Sequence, residues 1–228
     1  MAHSLGTLFV AALFLTNPWS GSAQMPSVRP APTPVSISLF NDAYVPSEVL
    51  DAAEARTTRI LRHAGIAITW INCSASNTAV APAEPDSQVS VCSSISYPRH
   101  LSVRIVPLPR AASEDTFGQS FQDQSGNGCY SDIYFSRVLL SNARSLLSRA
   151  EILGYVMAHE VGHLLLGLNS HSQTGVMRAH WQPDDLRRAA KGDLLFTAEQ
   201  AVLMRSHLVA TEGPLTAAAS VLAQDRTD

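Results

Sequence analysis

The stretch VSISLFNDA, residues 35–43, alternates apolar Val35, Ile37 and Leu39 with serine. That two-residue period belongs to a strand with one buried face. The period then changes. In VPSEVLDAAEARTTRILRHAG, apolar Val49, Leu50, Ala53, Ile60 and Leu61 recur at helical spacing, with Pro46 early, Ser47 near the cap and Gly65 as the stop. IAITWINC follows at once as a strand, and HLSVRIVPLPR reads as another, with Leu101, Val103 and Ile105 on one face. A loop rich in Gly, Ser, Asp and Gln (residues 112–131) precedes DIYFSRVLL, which reads as a further strand. A long helix is expected from about Ser145 to Leu166, then an irregular segment. A last helix, FTAEQAVLMRSHLVA, opens on a Thr197–Gln200 capping box. Strands interleaved with one early helix and followed by a long one predict an α+β domain.

The N-terminal run SLGTLFVAALFL is too short to cross a bilayer, which takes about twenty apolar residues, and NPWSG breaks it. Small residues Gly21 and Ala23 follow, so residues 1–23 read as a secretory signal peptide. Residues 24–35 form a Pro-rich leader, 36–212 the folded domain and 213–228 a tail. The chain is expected to be secreted or extracytoplasmic, with no membrane anchor once the signal is cut.

Net charge is −3 and charged residues make up only 15% of the chain, which argues against a nucleic-acid partner. In an oxidising compartment the three cysteines become informative. Cys73 and Cys92 bracket the polar segment SASNTAVAPAEPDSQVSV, so a disulfide closing it is expected, worth about 3 kcal/mol by chain-entropy reasoning. Cys129 is left over. No CxxC pair exists, which excludes a cysteine zinc site of that kind. DQSGNG fails as an EF-hand loop because its twelfth position is Tyr134 rather than Glu, and GQSFQ lacks the second glycine of a nucleophile elbow.

The chemistry concentrates in AHEVGHLLLGLNSHSQTGVM, residues 158–177. His159 and His163 lie one helical turn apart on one face, about 6 Å along the axis at 1.5 Å per residue. Two imidazoles so placed can converge on one Zn²⁺. Glu160, beside the first, can act as general base on water whose acidity the ion raises. With eight His in the chain, His-Glu-x-x-His is expected by chance in only about 1% of such sequences. The competing reading is a core helix whose histidines and Glu160 are merely hydrogen-bonded. Three ionisable groups in five positions of an apolar helix would be expensive to bury without a partner, and a metal supplies one. Gly167 ends the leucine run where a left-handed C-terminal turn is expected, letting the chain double back toward His171. His180 and Glu199, and more remotely Glu212, are rivals for the third ligand. Cys129 is a remote candidate to approach the metal.

These residues resemble the metzincin clan of zinc endopeptidases, and within it the matrixin type, whose pattern is His-Glu-x-x-His-x-x-Gly-x-x-His followed by a methionine in a tight turn. His159, His163 and His171 match the ligands, Glu160 the general base, Gly167 the turn glycine, Ser172 a serine that often follows the third ligand, and Met177 the turn methionine. One extra residue precedes Gly167 and another precedes His171, and no tyrosine follows Met177, where His180 and Trp181 stand instead. The resemblance implies a zincin fold: a small twisted mixed sheet with an antiparallel edge strand, packed on two helices including the active-site helix, with a small C-terminal helical subdomain. It implies a zinc metalloendopeptidase acting on peptides or proteins; a monomer is expected. It also makes the strand before the active-site helix the substrate-pairing edge, here Ile133, Tyr134 and Phe135. The alternative function is a secreted zinc-binding protein of the same fold without peptidase activity.

Overall fold

A computed structural model describes residues 32–73, 91–108, 116–142 and 146–210. The segment expected to be a signal peptide, most of the expected leader and the expected tail lie outside the described residues. The elements run β1 (Thr33–Asn41), α1 (Ser47–His63), β2 (Ile66–Asn72), β3 (His100–Val106), β4 (Gly118–Phe121), β5 (Tyr130–Tyr134), α2 (Phe135–Asn142), α3 (Arg149–Leu166), α4 (Pro183–Lys191) and α5 (Ala198–Ala210). The five strands form one sheet in the order β2-β1-β3-β5-β4. Pairs β1–β2, β1–β3 and β3–β5 are parallel, and β4 runs antiparallel to β5.

The apolar positions read in β1 are buried, Val35, Ile37 and Leu39 being joined by Leu101, Val103 and Ile105 of β3 and Ile133 of β5, but Ser38 and Ser102 on the other face are buried too. Helices α1 and α3 cover that apolar surface. Gly154 lets them approach closely, since a Cβ there would fall 2.7 Å from Arg56 Cβ and 2.8 Å from the Ala53 carbonyl oxygen. Thr57 Oγ1 sits 2.9 Å from the carbonyl oxygens of both Ala53 and Gly154, so its proton bridges the two helices.

α3 begins at a capping box. Ser148 Oγ accepts from Glu151 N, and Glu151 Oε2 accepts from Ser148 N at 2.9 Å. The helix is buried on nearly all sides because α1, the sheet and the C-terminal helices surround it. Tyr155 Oη donates to the Ala189 carbonyl of α4 at 2.9 Å, and Met204 and Leu208 of α5 are fully buried in the same core. The two C-terminal helices therefore complete the main core. α4 falls in the segment expected to be irregular, although Pro183 in its first turn and Gly192 in the left-handed conformation at its end are ordinary helix punctuation.

The edge strand differs from expectation. Ile133, Tyr134 and Phe135 do not form a free edge: β5 is flanked by β3 and β4, so its backbone groups on both sides are engaged in the sheet. Phe135 already begins α2, a helix that buries Val138. The antiparallel edge is β4, drawn from the segment expected to be a loop. Its first residue is a glycine and only one of its four is a large apolar residue, so periodicity gave no strand signal.

Cys73 and Cys92 are disulfide-bonded, with Cα atoms 5.9 Å apart across nineteen positions of sequence. The bond ties the end of β2 to the segment leading into β3. Replacing both cysteines by serine is expected to lower the unfolding free energy by about 3 kcal/mol, seen as a lower midpoint in a urea titration. An unchanged midpoint would mean the bridge constrains nothing.

Candidate metal centre

His159 and His163 lie on the face of α3 that looks into a cleft of 1180 Å³. Their Nε2 atoms are 3.0 Å apart. His159 Nδ1 lies 2.8 Å from the Val176 carbonyl oxygen, which only accepts, so this nitrogen carries the proton and Nε2 presents a lone pair. His163 Nδ1 pairs with Ser170 Oγ at 2.7 Å. His171 joins them from the solvent side, its ring centroid 5.4 Å from that of His159 and 4.7 Å from that of His163. The three available ligand atoms lie within 4.8 Å of one another, making a group that can hold a metal ion. Lone pairs 3.0 Å apart repel unless a proton or a cation lies between them. Ligands of a tetrahedral Zn²⁺ with bonds near 2.0–2.1 Å stand about 3.3 Å apart, so the donor set fits that ion.

Burial keeps these rings neutral. Desolvation pulls His159 down to about 4 and His163 down to about 3, the latter aided by the neighbouring imidazoles. His171 is also lowered, by desolvation first and then by His180. A neutral imidazole is the ligating form.

The return from α3 is built by glycine. Gly167 has φ 86° and ψ −162°, which is not the left-handed helical cap expected of it. That region of backbone space is essentially open to glycine alone. Beyond it, Gly175 (φ +82°) lies so close to the Leu195 carbonyl that an added Cβ would sit 2.5 Å from its oxygen. Ser172 N donates to Met177 O and Val176 N to Leu195 O, both at 3.0 Å, and Arg178 N donates to Gly175 O at 3.2 Å to close a turn. The Val176 carbonyl accepts from Trp181 Nε1 as well as from His159, so the turn, the indole and the imidazole hold one another. Met177 is fully buried. Gly162 makes room for it, since a Cβ at that position would lie 2.4 Å from Met177 Sδ.

Glu160 is buried on the cleft wall beside His159. Desolvation pushes its carboxyl up to about 7, opposed by hydrogen bonds from Ser120 and Ser131. Ser120 Oγ lies 2.7 Å from Glu160 Oε2 and donates to it. Gly118 is the other contact from β4: a Cβ there would fall 2.7 Å from Glu160 Oε1. Edge strand and carboxylate are thus packed together. Neither Ser120 nor Gly118 carries a motif, and only the strand pairing reveals them.

Of the rival ligands, His180 and Glu199 stand outside the histidine group. His180 lines the cleft, and Glu199 is in the first turn of α5. Glu212 lies outside the described residues. Cys129 is a free, half-buried thiol beside Tyr97, also outside the group.

No protein-family model and no curated protein matches the chain. Solved structures do show similarity. Archaemetzincin from Methanopyrus kandleri is 15% identical over 77% of this chain and 96% of its own, with a TM-score of 0.49. A zinc-dependent peptidase from Methanocorpusculum labreanum is 14% identical over 74% of this chain and 99% of its own, with a TM-score of 0.47. Metalloproteinase-II from Bacteroides fragilis is 15% identical over 79% of this chain and 55% of its own, with a TM-score of 0.46.

Proposed function

We propose that the chain is an exported, monomeric, zinc-dependent endopeptidase. The observation that carries this is the convergence of three imidazoles beside a buried carboxylate, in an open cleft bordered by an antiparallel edge strand. His159, His163 and His171 would hold a zinc ion, which would supply Lewis acidity to polarise a carbonyl and make water more acidic.

The chain's own groups do the rest. β4 offers its outer backbone edge to an extended peptide, which adds to the sheet as a further strand. Glu160 takes a proton from the attacking water and delivers it to the leaving amine. A carboxyl poised near 7 is suited to both transfers. Ser120 fixes which carboxylate oxygen faces the strand, and Gly118 keeps the approach clear. Met177 shapes the floor under the rings without ligating. The Cys73–Cys92 disulfide supports an oxidising compartment. Among the described residues, no helix is long and apolar enough to cross a membrane.

The test is hydrolysis of casein and of quenched peptides by purified full-length protein. Activity is expected to vanish on chelation and return with one equivalent of zinc. Stoichiometric zinc binding with no cleavage of any peptide would leave a zinc-binding protein and end the enzyme reading.

A further inference from the structure

The carbonyl oxygen of Val176 is the partner of His159 Nδ1, and it also accepts from a second donor, Trp181 Nε1. A carbonyl oxygen has two lone pairs, so these N–H groups, at 2.8 Å and 3.0 Å, use its full accepting capacity. The consequence is one of direction. A peptide group bonded through one lone pair still tilts about that bond, whereas one bonded through both tilts only by weakening at least one of them. The imidazole of His159 takes its orientation from this carbonyl, so whatever holds the carbonyl also holds the ring.

Trp181 is itself well placed. Its indole makes a T-shaped contact with His159, ring centroids 6.2 Å apart at 78°, and another with Tyr155 at 6.0 Å and 79°. Tyr155 is fully buried on α3, its hydroxyl committed to the Ala189 carbonyl at 2.9 Å. One buried carboxylate anchors the chain on either side of the indole: Asp185 Oδ2 accepts from Gln182 N at 2.9 Å and from Arg178 Nη1 at 3.2 Å. A side chain that only filled the cleft wall would have no use for its N–H, yet this one meets the same backbone oxygen that a ligand imidazole uses. His163 is served differently, by Ser170 Oγ at 2.7 Å, a hydroxyl that rotates to suit its partner.

We propose that Trp181 is a positioning residue of the metal centre: its indole N–H fixes the Val176 carbonyl, which in turn aims His159 Nε2 at the metal. The inference rests on the zinc reading above and not on hydrolysis. At 2.8 Å the bond from His159 is already near the short end of the N–H···O range, so losing the second donor offers little compensating gain. The expected cost is about 10–100-fold in zinc affinity, the usual range for a supporting partner of a metal ligand.

The experiment uses full-length protein stripped of metal. It is titrated with zinc against a chromophoric chelator, and with cobalt, whose visible absorption reports the arrangement of ligands. Trp181→Phe is expected to bind zinc about 10–100-fold more weakly and to shift the cobalt bands. Benzothienylalanine placed at position 181 keeps both fused rings and lacks only the N–H, so it should do the same. Tyr155→Phe is the control. It breaks a buried hydrogen bond beside the indole, so it should lower the melting temperature while leaving zinc affinity and the cobalt spectrum as in wild type. A loss seen with phenylalanine and not with the isostere would come from missing bulk, and overturns the inference. So do an affinity loss below tenfold in Trp181→Phe, an equal loss in Tyr155→Phe, and a Trp181→Phe chain with no cooperative unfolding transition. The peptidase reading fails separately: zinc-loaded wild type that cuts no peptide ends the enzyme and leaves this role of Trp181 standing. Wild type that takes up no zinc ends the metal centre and this inference with it.

Discussion

Glu160→Gln is expected to lower kcat for peptide hydrolysis by about 10²–10⁴-fold, the range for a positioned general base, with zinc content unchanged at one per chain. The substitution is nearly isosteric, so Ser120 Oγ keeps an acceptor and Gly118 keeps its clearance. It removes only the ability to take and return a proton. A loss below tenfold would mean Glu160 shapes the cleft without carrying protons. The same variant has a second signature in the metal-free protein. Burial raises the folded-state value of Glu160 from the ordinary 4.5 to about 7. Stability linked to that raised value is present below 4.5 and is lost as pH rises through about 7. Metal-free wild type should therefore lose melting temperature relative to Glu160→Gln between pH 5 and pH 8. Both proteins share the lowered histidines, so the difference isolates the carboxyl.

His163→Ala is expected to abolish zinc uptake and hydrolysis together. Loss of a supporting hydrogen bond to a metal ligand typically weakens affinity 10–100-fold, and loss of the ligand itself should exceed that. His163 is held at both ring nitrogens, its Nε2 3.0 Å from His159 and its Nδ1 fixed by Ser170. His171→Ala should behave alike, whereas His180→Ala and Glu199→Gln should keep one zinc per chain, because both residues stand outside the histidine group. Metal content by mass spectrometry in the native state reads all four variants. A chain that loses its zinc with His180 and keeps it without His171 would reassign the third ligand.

Much of this site was legible before any coordinates. The i, i+4 spacing of His159 and His163 on an apolar helix needs only the pitch of that helix to bring both rings to one face, and the structure places both on the cleft. Gly167 was legible as a position requiring glycine but not in its conformation, since φ 86° with ψ −162° depends on where the chain must go next. The Cys73–Cys92 bridge followed from two cysteines bracketing one polar segment. Around DIYFSRVLL, period-two burial holds only from Tyr130 to Ile133, Tyr134 is buried as well, and Phe135 begins a helix.

By itself, then, the sequence determined β1, α1, β2, β3, α5 and the local chemistry of α3, because residue spacing and capping act over a few residues. Only the tertiary structure decided that β4 and not β5 is the edge, that Ser120 and Gly118 embrace a carboxylate forty residues away, and that Arg178 is braced by Asp185 toward the cleft. Those arrangements come from sheet order and helix packing. Contacts between distant segments are set by which surfaces the whole chain can bury together, and no short window of residues contains that information.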